Sequence, residues 1–200
     1  MTPEDPPAVR IGRLAASLQE HFDRLAPWLE LGEPSWSTRP ADDSWSVAEI
    51  LEHVVLCQRY LLLLIDKIAE RSRRRLAAGA VLPAEPGDPT PLEALAARSF
   101  SWRHPEHMAP SGRVSRGALA AELSLQRGRC LDHLRRMPDG EGSLHAIRMS
   151  VVGRKLDLYQ YLRLLDLHLA RHLAQLDRTL SAVSPRCERP ATPGPGAPGP

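Results

Sequence analysis

Four long stretches of this chain repeat their apolar residues every three or four positions, and none alternates apolar and polar residues cleanly as a half-buried strand does. The first runs from about Ala8 to Leu31, with Ile11, Leu14, Leu18, Phe22, Leu25 and Leu29 on one side. The second opens at "SVAE", where Ser46 as N-cap and Glu49 three residues on form a capping box. It continues through Ile50, Val54, Cys57, Leu61, Leu64 and Ile68 towards "RSRRRLAAG", whose cations and Gly79 suit a helix end. The third spans about Ala118–Arg136, and the fourth about Leu156–Ala182. Four amphipathic helices of this length predict an all-α four-helix bundle.

The connections are uneven. A proline-bearing loop, "GEPSWSTRPADDS", joins the first two helices. From Val81 to Gly117 the chain is rich in Pro, Gly and Ser, with one short helix expected around Pro91–Arg98. A connector this long in a compact domain is often functional. His145–Lys155 is ambiguous by pattern. From about Ser184 the tail "SPRCERPATPGPGAPGP" has too few apolar side chains to pack, so residues 1–183 are expected to form the domain and 184–200 a disordered tail.

Composition narrows the class. With 200 residues, 42% hydrophobic and 25% charged, the chain can bury a substantial core. A formal charge of +2 gives no general attraction for nucleic acid or membranes. The "RSRRR" run, without interleaved aromatics, reads as a solvated helix end. Cys57, Cys130 and Cys187 are odd in number and far apart, which suits a reducing compartment. The start, "MTPEDPPAVR", is unlike a signal peptide, and "YLLLLI" is too short to cross a bilayer. A soluble, cytoplasmic protein is the expectation.

One feature of the fourth helix asks for chemistry. "DLHLARHLAQLDR" places His168 and His172 four residues apart, on the face that otherwise carries Leu158, Leu162, Leu165, Leu169 and Leu176. A buried neutral imidazole without a partner costs on the order of 1–3 kcal/mol, so something should satisfy both rings. Histidines at this spacing can converge on one ion, and His53, one turn inside the second helix, can supply a third imidazole. The spacing equally fits two partly exposed histidines and one bonded to a backbone carbonyl.

Resemblance tips that balance. "WSVAEILEHVVL" resembles the Trp-Ser-x-x-Glu-x-x-x-His opening of the second helix in the DinB/YfiT-like family. "GRKLDLYQYLRLLDLHLARHLAQLDR" is similar to that family's last helix, including His-x-x-x-His followed by Leu-x-Gln. "HMAPSGRVSRGALAAELSLQRGRCLDHL" has the family's Ala-Pro turn and amphipathic third helix. The resemblance covers about Ala8 to Ala182 and implies an up-down-down-up bundle holding a divalent metal, zinc or nickel, on His53, His168 and His172. It also implies a metal-dependent enzyme, either a transferase using a low-molecular-weight thiol or a hydrolase. A non-catalytic, metal-stabilised binding or dimerisation module is the competing class. Three neutral imidazoles leave an ion its full charge and an open position, which can activate water or a thiol.

Other residues have two readings each. Glu49 can orient His53, although the capping box already accounts for it. Cys57 can approach the metal or simply pack. Gln175 can touch substrate or solvent, and Tyr60 and Tyr161 can line a pocket or belong to the core. His104 and His107, in "WRHPEHM", have a metal-like spacing but sit in a loop. His21, His133 and His145 read as surface residues. No carboxylate is clearly placed as a general base, which favours thiol chemistry. The expected partners are a small-molecule substrate, a low-molecular-weight thiol in the transferase reading, and a second copy in a homodimer. Neither nucleic acid nor a membrane is expected.

Overall fold

The computed structural model describes residues 5–83, 92, 108–150 and 152–183. The expected short helix around Pro91–Arg98, the loop histidines His104 and His107, and the tail from Ser184 lie outside the described residues, Leu92 apart.

Four helices form where the periodicity places them: α1 at Pro7–Leu25, α2 at Val47–Ala77, α3 at Arg116–Arg136 and α4 at Leu158–Val183. The first ends earlier than the apolar pattern predicts. Pro27 lacks the N–H that would continue the α-helical ladder, and although Ala26 keeps helical angles (φ -56, ψ -44), the chain tightens into a 3-10 turn over Ala26–Glu30. The capping box at α2 is present as read: Ser46 accepts from the Glu49 amide and the Glu49 side chain accepts from the Ser46 amide. Gly79, with φ +82, follows the end of α2. A second capping box went unread in the sequence. At the head of α4, Asp157 Oδ1 accepts from the Gln160 amide (2.9 Å), and Gln160 Oε1 accepts from the Asp157 amide (3.1 Å).

The ambiguous stretch before α4 is a small antiparallel hairpin. Ile147–Met149 (β1) pairs with Arg154–Leu156 (β2), Ile147 opposite Leu156. Three-residue strands are too short for alternation to show, which is why no strand was legible.

Helix direction follows from which ends meet. Gln126 of α3 donates to the Val55 carbonyl and His133 further along α3 meets Asp66, so α2 and α3 run parallel. Ser72 and Arg75, late in α2, bond the carbonyls of Gly142 and Leu144 just before the hairpin, while α2's early His53 faces α4's later histidines. Therefore α4 opposes α2. The Arg116 guanidinium opening α3 lies 4.3 Å over the Trp36 ring, which follows α1, so α1 opposes α3. This is the up-down-down-up order. Helices α1 and α2 each pack against both α3 and α4, around a core that includes Leu18, Ile50, Leu62, Ile65, Leu165 and Leu169. Each such leucine or isoleucine contributes about 1.5–3 kcal/mol by leaving water.

A buried carboxylate ties α1 to α4. Asp166, wholly inaccessible, accepts from Ser17 Oγ (2.8 Å), His21 Nδ1 (2.6 Å) and Arg163 (2.5 Å). His21 is therefore not a plain surface residue, and His133, paired with Asp66 at 2.8 Å, is not one either. No helix among the described residues is long and apolar enough to cross a membrane.

Candidate metal centre

Because α2 and α4 run in opposite directions, the first turns of α2 meet the second half of α4. His53 is buried there against His168 and His172, with one ring nitrogen from each within 4.8 Å of the others. The imidazole centroids of His53 lie 5.6 Å from His168 and 5.0 Å from His172. The Nε2 atoms of His168 and His172 are 3.1 Å apart. Two nitrogens sharing one ion at about 2.0–2.1 Å stand roughly 2.9–3.4 Å apart for angles of about 90–110°. The pair is already at ligand spacing.

Neighbours orient two of the rings. His53 Nδ1 donates to the Met108 carbonyl at 2.9 Å, and His172 Nδ1 donates to Gln175 Oε1 at 2.8 Å. A carbonyl oxygen only accepts, so each Nδ1 carries the hydrogen and each Nε2 presents its lone pair. Burial, and then the neighbouring imidazoles, hold His168 well below the ordinary histidine range. Burial and then His53 lower His172 to about 3. His168 and His172 are thus kept neutral, the form that binds metal. These three side chains can hold one divalent ion.

The other candidates fall into place around them. Gln175, read in the sequence as touching substrate or solvent, bonds the His172 ring, and Glu49 has the capping-box role that already accounted for it. Glu49 accepts from the Ser46 amide (2.9 Å) and from the Arg39 guanidinium (Nε at 2.8 Å), and the Arg39 hydrogen bond is the main reason its carboxyl is held low. Cys57 Sγ lies 3.5 Å from His53 Nε2 and 3.7 Å from Met108 Sδ, and burial pushes its thiol up to about 12. Tyr161 is wholly buried two turns before His168, and its hydroxyl has no hydrogen-bond partner among the described residues. Tyr60 sits two turns past His53 with 40% of its surface exposed. Both tyrosines are set back from the triad along their helices.

Two contributors were not foreseen. Glu52, 4% exposed, accepts from the Ser111 amide (2.9 Å) and hydroxyl (2.7 Å) and from the Gly112 amide (2.8 Å). It anchors the 108–112 segment whose Met108 carbonyl orients His53. Trp45 packs its ring 4.8 Å from that of His53. The carbonyl has no sequence signal at all. Glu52 had a faint one, a carboxylate next to His53 on an otherwise apolar stretch.

A four-helix bundle with a buried histidine triad across α2 and α4 defines a class of helical protein with a metal-ready centre. The sequence model of the DinB superfamily matches residues 16–176, and the chain belongs to that superfamily. No curated protein and no solved structure matches it.

Proposed function

We infer that this protein binds one divalent ion, zinc or nickel, through His53, His168 and His172, and uses it to transfer a low-molecular-weight thiol to a small electrophile. The observation that carries metal binding is the 3.1 Å approach of the buried His168 and His172 Nε2 atoms, on two rings that burial keeps neutral. Two lone pairs this close repel unless a proton or a cation lies between them. When bound, the ion supplies Lewis acidity that lets water or a thiol lose its proton near neutral pH.

The choice of thiol over water rests on the surrounding carboxylates. Glu49 and Glu52 are the acidic groups nearest His53 in sequence, and both are engaged by backbone amides and by Arg39 or Ser111. Neither is placed to take a proton from water. The sulfur atoms of Cys57 and Met108 also give the site a soft, apolar flank on the His53 side, suited to a sulfur ligand.

Elemental analysis of the purified protein should find about one divalent ion per chain, lost in His53→Ala. With cobalt in the site, a small thiol should add a sulfur-to-metal charge-transfer band in the near ultraviolet. A spectrum unmoved by thiols, with ester hydrolysis that a chelator abolishes, would replace the transferase by a hydrolase. Silence in both assays would leave a non-catalytic, metal-stabilised module.

A further inference from the structure

Beside the triad lies an open cleft of about 260 Å³ lined by Asp43, Ser44, Trp45, Gln175 and Thr179. Two of these five touch the triad directly: Trp45 packs on the His53 ring, and Gln175 holds His172 Nδ1. One side chain on each side therefore separates the cleft from those rings: Trp45, just before α2, and Gln175 of α4.

The lining has a definite chemical character. Asp43 is its one ionisable side chain, and Trp45 is its one aromatic. Ser44, Gln175 and Thr179 add neutral polar groups. A carboxylate next to an indole is the pairing that recognises an ammonium group, by charge and by attraction to the ring face. The backbone that carries Asp43 is closed into a turn by its neighbours. Ser44 Oγ accepts from the Ala41 amide (2.8 Å) and donates to the Ala41 carbonyl (2.7 Å), and the Ser44 amide bonds the same carbonyl at 3.0 Å. Asp43 lies inside that closed turn. A carboxylate seated beside Asp43 would meet a like charge, whereas an ammonium group would meet an opposite one.

We propose that this cleft is a subsite for a positively charged amine or quaternary ammonium group carried by the substrate, held by Asp43 and Trp45. Its role as a substrate subsite rests on the metal-centre reading above, whereas the binding itself does not. It narrows the candidate thiols to those bearing an amine a few bonds from the sulfur.

Two measurements separate the proposals. The first needs neither metal nor thiol: choline and its neutral isostere 3,3-dimethylbutan-1-ol are titrated while the Trp45 indole proton–nitrogen signal, assigned by its loss in Trp45→Phe, is followed. Choline should shift it saturably and bind about tenfold more tightly than the alcohol, and Asp43→Asn should erase that preference. Because Asp43 is exposed, the variant should fold as the parent does. The second compares 2-aminoethanethiol with 2-mercaptoethanol on the cobalt protein, where the amine should reach half-saturation at about a tenfold lower concentration in the parent only. Equal binding of choline and the alcohol, or an unchanged preference in Asp43→Asn, overturns the subsite and leaves the metal centre standing. A Trp45 response selective for choline, with no thiol band on cobalt, supports the cleft and removes the thiol reading instead.

Discussion

Replacing Glu52 by Gln tests whether the metal centre depends on a residue that touches no ligand ring's nitrogen. The Glu52 carboxylate lies in a nearly inaccessible position and takes three donors on two oxygens: the Ser111 amide and hydroxyl on Oε1, and the Gly112 amide on Oε2. Gln keeps one acceptor oxygen and brings an NH2 group in place of the other. If the oxygen stays with Ser111, the NH2 faces the Gly112 N–H, and one charge-assisted bond becomes two opposed donors. Losing such a bond at a buried site costs about 1.5–3 kcal/mol. At about 2–4 °C per kcal/mol for a chain of this size, the melting temperature should fall by roughly 3–12 °C. The more telling consequence is at the metal. Ser111 and Gly112 follow closely on Met108, whose carbonyl fixes the His53 ring at 2.9 Å. Loosening that segment should weaken metal binding by about tenfold, the lower end of the effect seen for direct partners of metal ligands. Isothermal titration of metal into the apo protein, beside urea unfolding of the same sample, measures both. The exposed Glu20→Gln variant serves as the control. A Glu52→Gln protein within about 0.5 kcal/mol of the parent, with unaltered metal affinity, would refute the chain of support from Glu52 through Met108 to His53.

Gln175→Leu should lower metal affinity about 10–100-fold while leaving the fold intact, because His172 loses the acceptor that sets its tautomer; competition with a chelator reads this directly. Apo protein should lose stability as the pH falls from about 6.5 towards 3, since unfolded His172 takes up a proton that the folded ring, lowered to about 3, refuses. By pH 5 that amounts to about 2 kcal/mol from His172 alone, and a urea midpoint that stays constant between pH 7 and pH 5 would contradict it. Gly112→Ala should cost about 1–2 kcal/mol through its backbone, at φ +70, because the added Cβ would make only an ordinary contact with Glu49 at 3.6 Å. Thermal unfolding checks that value, and a neutral result would mean the 111–113 turn relaxes.

Much of the architecture was legible because helices are local objects. Their apolar period, the Ser46–Glu49 capping box and the Gly79 stop are short-range signals, and the structure keeps all of them. The spacing of His168 and His172 was equally local: residues four apart on a helix share a face whatever surrounds them. Seam position and bundle geometry offered His53 as a third imidazole, and the family resemblance singled it out, since nothing in spacing relates position 53 to position 168.

The tertiary structure decided the rest, for reasons of distance and direction. Only the antiparallel packing of α2 on α4 brings an early turn of one helix to a late turn of the other, and so closes the triad. The hairpin before α4 is set by pairing between strands of three residues, too short to leave a period. Gln175 reaches His172 across one turn of α4, whereas Glu49 joins its capping box to Arg39, a partner ten residues back in a loop whose path no pattern predicts. The Met108 carbonyl that fixes His53 is backbone, identical in every residue, so its role exists only once the chain has folded around it.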